Sequence, residues 1–399
     1  MMKWIWDWLE RHWVAPAYAG TVLLGLAIFF FGAATNTLAG WLYVMSGVSF
    51  ALLGMAAVLP LRSLRQLRVS RRPLDPISAG DRLSIEVLIH NDSDQAKTLL
   101  QVQDQLPYVL GAPAQTAIEL IEAHSTYRWL YYQPSYRRGI YRWQTLQLRT
   151  ATPLGLFWCR REQAARAKAI VYPKVLPLSH CPLVDDIGQE NSPQLNNDAR
   201  LQNAVSGLTR SLRPYHWGDP TRLIHWRTSA RYGDLRVREL EVFTGGQAVL
   251  VGLDTQIPWP ILPPTPASVD TPPEKDNAFE QAVIVAASLY FYAGRQSLQA
   301  KIWTAATGLI DGNRRVLEVL AATQPQEDLK AAPPPRQPLI WLTCNPASLT
   351  TLPAGSRWVL WQTADSSAPP AVNQPGLIMQ TEAPLAVQLQ SPLWSQRSA

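Results

Sequence analysis

Residues 14–59 read VAPAYAGTVLLGLAIFFFGAATNTLAGWLYVMSGVSFALLGMAAVL, with no Lys, Arg, Asp or Glu among them. The charge-free interval is wider still, running from Arg11 to Arg62, and the first acid after Glu10 is Asp75. A bilayer's hydrocarbon core is about 30 Å thick and a helix rises about 1.5 Å per residue, so about 20 apolar residues cross it. Two runs of that length lie end to end, at about 14–34 and 38–59. The polar triplet Thr35, Asn36 and Thr37 between them leaves room only for a hairpin, so segment 1–61 is expected to be a pair of antiparallel transmembrane helices. A cleaved secretory signal does not fit, because the first run is too long for its apolar region and a second run follows at once.

The flanks orient the hairpin. Trp4, Trp6, Trp8, Trp13 and Tyr18 precede or open the first run, and Trp41 and Tyr43 follow the turn, so an aromatic belt is expected at each interface. Lys3 and Arg11 stand before the first helix, and Arg62, Arg65, Arg68, Arg71 and Arg72 follow the second. Positive flanks stay on the cytoplasmic side. The expectation is a plasma (inner) membrane protein with both termini, and everything after the hairpin, in the cytoplasm. The same crowding explains much of the net charge of +6 without nucleic acid. Cys159, Cys181 and Cys344 lie far apart with no CxxC spacing, which suggests neither zinc nor a disulfide framework and fits a reducing compartment.

Beyond the membrane segment, 62–75 reads as a basic juxtamembrane linker. From 76 to 175 the apolar period becomes two, as in Leu83, Ile85, Val87 and Ile89, with turn residues at Asn91–Asp94 and at Arg138–Gly139. Short strands at this spacing predict a small β-sandwich. Residues 176–245 read as a linker that contains an Arg-rich motif. From 246 to 363 the pattern alternates between strand and helix, opening on the apolar run Ala248–Leu253 that ends in Asp254, as a buried parallel strand does. A Rossmann-like α/β domain is expected there, followed by a loosely ordered tail over 364–399. The fold class is thus an α+β multidomain membrane protein.

The densest chemistry lies in SLRPYHWGDPTRLIHWRTSARYGDLRVRELE, residues 211–241. Seven arginines, counting Arg210, are interleaved with Asp219, Asp234, Glu239 and Glu241, so internal ion pairs can satisfy most of the charge. Arg213, Tyr215, Gly218, Asp219, Arg222, Ile224, His225, Trp226, Ser229, Ala230, Arg231, Leu235, Val237, Arg238, Glu239 and Glu241 together resemble the signature of the family called domain of unknown function 58. The stretch RRGIYRWQTLQLRTATPLGLF, residues 137–157, is similar to that family's strand and following turn, with Thr152 and Leu154 in place of the usual Asp and Phe. The resemblance implies a bacterial membrane protein, a C-terminal part similar to von Willebrand factor A domains, and a gene often encoded beside a MoxR-type AAA+ ATPase, which becomes the expected partner together with the lipid bilayer.

Von Willebrand A domains can bind Mg²⁺ through Asp-x-Ser-x-Ser, since hard ions take oxygen ligands. Here Asp254 stands at the Asp position but Gln256 and Pro258 replace both serines, leaving a degenerate metal-site candidate and no expected cofactor. His216, His225 and Asp219 are chemically suited to acid and base work, yet no nucleophile completes a set around Ser229 or the cysteines. No phosphate-binding glycine motif is present. The interleaved acids oppose nucleic-acid binding. The leading expectation is a non-enzymatic adaptor or assembly factor in which Arg213, Tyr215, Gly218, Asp219, Arg222, His225, Trp226, Ser229, Arg231, Arg238, Glu239 and Glu241 hold the motif or dock a partner. The alternative is a metal-dependent enzyme using Asp254 and His225.

Overall fold

The computed structural model describes residues 2–185, 208–215, 224–241, 248–259, 277–334, 337–361, 372, 374–380 and 383–393. The chain forms two compact units that divide between Lys174 and Val175.

The first unit opens with α1 (Met2–His12), the two-residue β1 (Ala15–Pro16), α2 (Tyr18–Thr37) and α3 (Gly40–Ser63). The helices α2 and α3 are long and apolar enough to cross a membrane. They meet through small groups: Gly20, Ala27 and Ala34 are the buried residues of α2, each seven apart, and the Ser46 hydroxyl of α3 donates to the Ala27 carbonyl at 3.1 Å. Their large side chains, among them Val22, Phe29, Val44 and Met55, point outward, the arrangement suited to apolar surroundings.

The limits differ from those read in the sequence. Val14–Pro16 does not begin the helix; Ala15 and Pro16 pair with Trp158 and Phe157. The triplet Thr35–Thr37 extends α2, because Thr35 and Thr37 return their hydroxyls to the carbonyls of Gly32 and Ala33. The turn falls instead at Leu38, in the left-handed region at φ 52°.

Two sheets enclose the rest of this unit's core. One is antiparallel, in the order β2 (Leu67–Arg71), β4 (Arg82–Asn91), β7 (Thr126–Pro134). The other runs β1, β9 (Phe157–Tyr172), β8 (Gly139–Thr150), β5 (Lys97–Asp104), β6 (Ala114–Ile121), with β3 (Ile77–Ser78) on the free side of β9. Leu83, Ile85, Val87 and Ile89 all point inward against Leu100, Val102, Leu146 and Leu148, as their period of two requires.

The segment expected as a linker, 62–75, contains β2, and one of its five arginines, Arg71, is spent inside the fold while Arg62, Arg65, Arg68 and Arg72 are exposed. Arg71 and Asp104 are fully buried and joined at 2.6 Å. The same carboxylate accepts from the Tyr131 hydroxyl at 2.6 Å and the Trp143 indole at 3.1 Å, and the Arg71 guanidinium lies over the Trp143 ring. These four side chains come from β2, β5, β7 and β8, two from each sheet. Burial beside Asp104 raises the Tyr131 phenol, which therefore stays a donor. Arg72 pairs with Glu86 and Arg68 with Asp92.

The helices are continuous with this sandwich. Leu64 lies in its core, with Ala57 and Leu61 packed against it. The Ala17 amide donates to the Leu156 carbonyl in the β8–β9 turn, and a Cβ added at Gly20 would collide with that same oxygen.

The second unit is built on a six-stranded sheet, in the order β14 (Gly308–Ile310), β13 (Gln299–Thr304), β12 (Ala248–Leu253), β15 (Ile340–Thr343), β16 (Arg357–Trp361), β17 (Gly376–Met379); every neighbouring pair in it is parallel except β13 with β14. Its α-helices among the described residues are α4 (Pro182–Asp185), α5 (Trp226–Tyr232), α6 (Ala278–Arg295), α7 (Asn313–Ala322) and α8 (Leu385–Leu389). Two expectations need correction. Part of the 176–245 linker belongs to this core: Leu176, Leu178, Cys181, Leu183 and Val184 are buried in it, and Arg357 donates to the Pro182 carbonyl. The tail over 364–399 is not uniformly loose either, since β17 and α8 place Leu377, Met379, Leu385 and Leu389 in the same core. An apolar residue that completes a sheet has no periodic partner nearby in sequence to announce it.

Two outcomes follow for the detergent-solubilised full chain. Gly20→Ala lowers its thermal midpoint, although Ala is favoured over Gly in a helix by about 1 kcal/mol, whereas Gly25→Ala, with open space around its Cβ, does not; equal responses would refute the contact. Asp104→Ala strands a buried guanidinium and costs about 3–5 kcal/mol, against under about 1 kcal/mol for Arg68→Ala at the surface, both read from denaturant unfolding.

Candidate functional site

The Arg-rich motif folds around an antiparallel strand pair. β10 (Leu208–Pro214) runs beside β11 (Arg236–Glu241), with Arg213 opposite Val237, Leu212 opposite Arg238, Ser211 opposite Glu239 and Leu208 opposite Glu241. The backbone thus places Arg213, Arg238, Glu239 and Glu241 on one ribbon. Tyr215 is half-buried, and its amide closes the ribbon on the Leu235 carbonyl at 2.9 Å. Gly218, Asp219 and Arg222 lie outside the described residues, as does His216.

His225 sits at the N-cap of α5. Its Nδ1 accepts from the Thr228 amide at 3.2 Å and stands 2.7 Å from the Thr228 hydroxyl. An acceptor at Nδ1 places the ring proton on Nε2, and the capping bond explains why a polar ring precedes this helix. Ser229 is buried; its hydroxyl donates to the His225 carbonyl and accepts from the Arg236 amide at 2.9 Å, tying α5 to β11. The helix turns Trp226 and Arg231 outward, with Trp226 65% exposed. His225 and Ser229 are therefore building elements, and among the described residues of this motif Trp226 and Arg231 are exposed to a partner, together with Arg227, Asp234 and Leu235.

The second place is the C-terminal edge of the parallel sheet. Asp254 follows β12, and its amide continues the ladder to the Leu342 carbonyl. Its carboxylate accepts from the Thr343 hydroxyl at 2.8 Å, and its carbonyl accepts from the Trp259 indole at 2.7 Å. Thr343 in turn accepts from the Asn345 amide. Asp254 is 5% exposed, and desolvation raises its carboxyl above the ordinary value, opposed by the Thr343 bond and the Gln256 amide. Nearby, burial pushes the Cys344 thiol up to about 11, so it is no thiolate nucleophile.

A hard cation takes six or more oxygens, and among the described residues this edge offers the Asp254 carboxylate, which already accepts from the Thr343 hydroxyl. Gln256 and Pro258 are exposed. Among the described residues no three His, Cys, Asp or Glu side chains converge for a metal.

One site escaped the sequence reading. Under α1 an open cavity of about 490 Å³ is lined by Trp6, Asp7, Glu10, Tyr18, Arg149 and Trp158 among others. Arg149 Nε donates to Glu10 at 2.5 Å and lies over the Trp158 ring. Arg160 pairs with Asp7 and holds its carboxyl below the ordinary value. The signal available was two acids three apart, Asp7 and Glu10, in an otherwise aromatic segment.

No known family profile matches the chain. Among curated proteins it is similar to the uncharacterized protein YeaD of Bacillus subtilis (strain 168), at 24% identity over 250 residues, 59% of this chain and 58% of that one. The chain thus spans a little under three fifths of that relative's length. Among solved structures it is similar to the CARDB domain of PF1109 from Pyrococcus furiosus, at 10% identity and a TM-score of 0.18 over 25% of this chain and 94% of that one. It is also similar to a beta-glucosidase from Listeria innocua, at 14% identity and a TM-score of 0.15 over 26% and 16%. Likenesses at those TM-scores carry no argument about fold or function.

The electrostatics of Asp254 are measurable. An acid whose native pKa lies above its unfolded one contributes stability at low pH that is lost as pH climbs from the unfolded value, about 3.9, through the native one. Asp254→Asn, neutral throughout, removes that part of the loss, so its thermal midpoint at pH 7 is no lower than that of the natural chain. A clearly lower midpoint at pH 7 would mean that the ionised carboxylate is needed for folding.

Proposed function

We propose that the chain is a membrane-tethered, non-enzymatic adaptor or assembly factor whose C-terminal unit is a von Willebrand A-like, Rossmann-like domain that docks a MoxR-type AAA+ ATPase. The strand order supports that domain type: β13 and β15 flank the first strand β12, the sheet is parallel, and β14 is the antiparallel edge. In sheets wound this way, ligands sit beyond the C-terminal ends of the strands where the winding reverses, and Asp254 and Thr343 occupy that edge. One observation carries the non-enzymatic part. The side chains best suited to chemistry, His225, Ser229 and Asp254, are engaged in capping and in joining strands.

The family resemblance of residues 137–157 and 213–241 supports the ATPase as partner, with exposed Trp226 and Arg231 as its contact. The apolar helices α2 and α3 support a bilayer as the other partner. Exposed Arg62 in the last turn of α3 and Arg65 just after it, with Arg11 before α2, support the plasma (inner) membrane with both termini in the bacterial cytoplasm.

Affinity capture of the tagged full chain from detergent-solubilised membranes, with and without ATP and read by mass spectrometry, tests this. The expected result is an AAA+ ATPase that co-purifies with the natural chain and is lost from a folded Arg231→Ala variant. A folded chain that captures no ATPase in either condition would overturn the reading.

A further inference from the structure

The helix α1 is amphipathic in an unusual sense. At 100° per residue Trp4, Trp8 and His12 share one face, while Trp6 and Glu10 share the opposite one, flanked by Asp7 and Leu9. In a helix lying on a water-soluble domain the acids face outward. Here Glu10 faces inward, held by Arg149 of β8, and Asp7, half exposed at the flank, is held by Arg160 of β9. Arg161 donates to the carbonyls of Arg11 and His12, the open C-terminal end of the helix. Three arginines of one sheet thus fix the polar face of α1. The aromatic face is left outside, with Trp4 74% and Trp8 51% exposed, and the surface continues through Trp13 at 70% and Tyr18 at 87%.

That surface has an occupant argued by continuity. Only residues 13–17 separate α1 from α2, and Tyr18 is the first residue of α2. The exposed rings of Trp13 and Tyr18 therefore lie at the level where the apolar helices begin, where indole and phenol rings partition into the headgroup layer, and the face of α1 continues the surface from there. We infer that α1 is an in-plane interfacial helix. Its Trp4–Trp8 face, extended by Trp13 and Tyr18, is embedded among lipid headgroups, while Asp7 and Glu10 strap the β8–β9 end of the sandwich to the membrane surface. Trp6, which faces the cavity under α1, is excluded from the lipid-facing set. This deepens the membrane-anchored reading and rests on it.

The test uses the full chain in lipid nanodiscs, with Cys344→Ser as background because Cys159 and Cys181 are buried. Nitroxide labels are placed one at a time through Trp4→Cys, Trp8→Cys, Phe29→Cys and Asp94→Cys, and accessibility to oxygen and to a water-soluble nickel chelate is read by power saturation. Phe29 reports the hydrocarbon layer and Asp94, whose side chain is 96% exposed, reports water. The expected result is that labels at 4 and 8 read an intermediate depth, shielded from nickel at least threefold more than Asp94 and less than Phe29. If they match Asp94 while Phe29 reads hydrocarbon, the inference fails and the membrane anchor stands. If they are closed to both reagents, protein covers the face and the inference also fails. If Phe29 itself reads water, the anchor reading falls and takes the inference with it.

Discussion

Fifty consecutive residues, 12 to 61, pass without a formal charge, and the rest of the first unit is arranged around that fact. Surroundings without water oblige every backbone amide and carbonyl in the segment to pair within it, which leaves helices as the available form. With no hydrophobic drive between two helices whose exteriors are already apolar, they associate where side chains are smallest. Gly20, Ala27 and Ala34 supply that seam, and Ser46 adds one hydrogen bond across it. The charges excluded from the interval accumulate on both sides of it, and the folded sandwich then has to accommodate them.

It does so by pairing. Arg71 enters the space between the sheets because Asp104 offers a carboxylate there, and that carboxylate in turn satisfies Tyr131 and Trp143. Two further nitrogens of Arg71, Nε and Nη1, are buried without a hydrogen-bond partner, so Arg71 itself is held through one nitrogen and the Trp143 ring face. A buried pair of this kind adds little over well-packed apolar residues, but removing either member alone is costly. Arg149, Arg160 and Arg161 play a parallel part outside the core, where they engage the carboxylates and the last carbonyls of α1. The positive charge flanking the helices thus serves partly as cross-linking between elements.

The second unit commits its polar groups in the same way. Ser229 and His225 close the corner between α5 and β11, and Asp254 joins the ends of β12 and β15 through Thr343. Groups that look reactive in a linear reading become donors and acceptors for backbone once the chain doubles back. Trp226 and Arg231 are left facing outward, because a helix of about two turns resting on a narrow ribbon can bury only one side.

Much of the layout is local and was readable. A charge-free apolar length set the two helices, a period of two in Leu83–Ile89 set a strand with one buried face, and the unbroken run Ala248–Leu253 set a strand buried on both. These depend on what lies one to four residues away, which composition and spacing express directly. The tertiary structure alone decided that Arg71 is interior, that Leu176–Val184 and Leu377–Leu389 complete the core of the parallel sheet, and that Asp7 and Glu10 are held by arginines of β8 and β9. The charged outcomes need a partner 30 or more residues away, Asp104 for Arg71 and Arg160 for Asp7, and a charge or an apolar residue carries no mark of which segment will meet it.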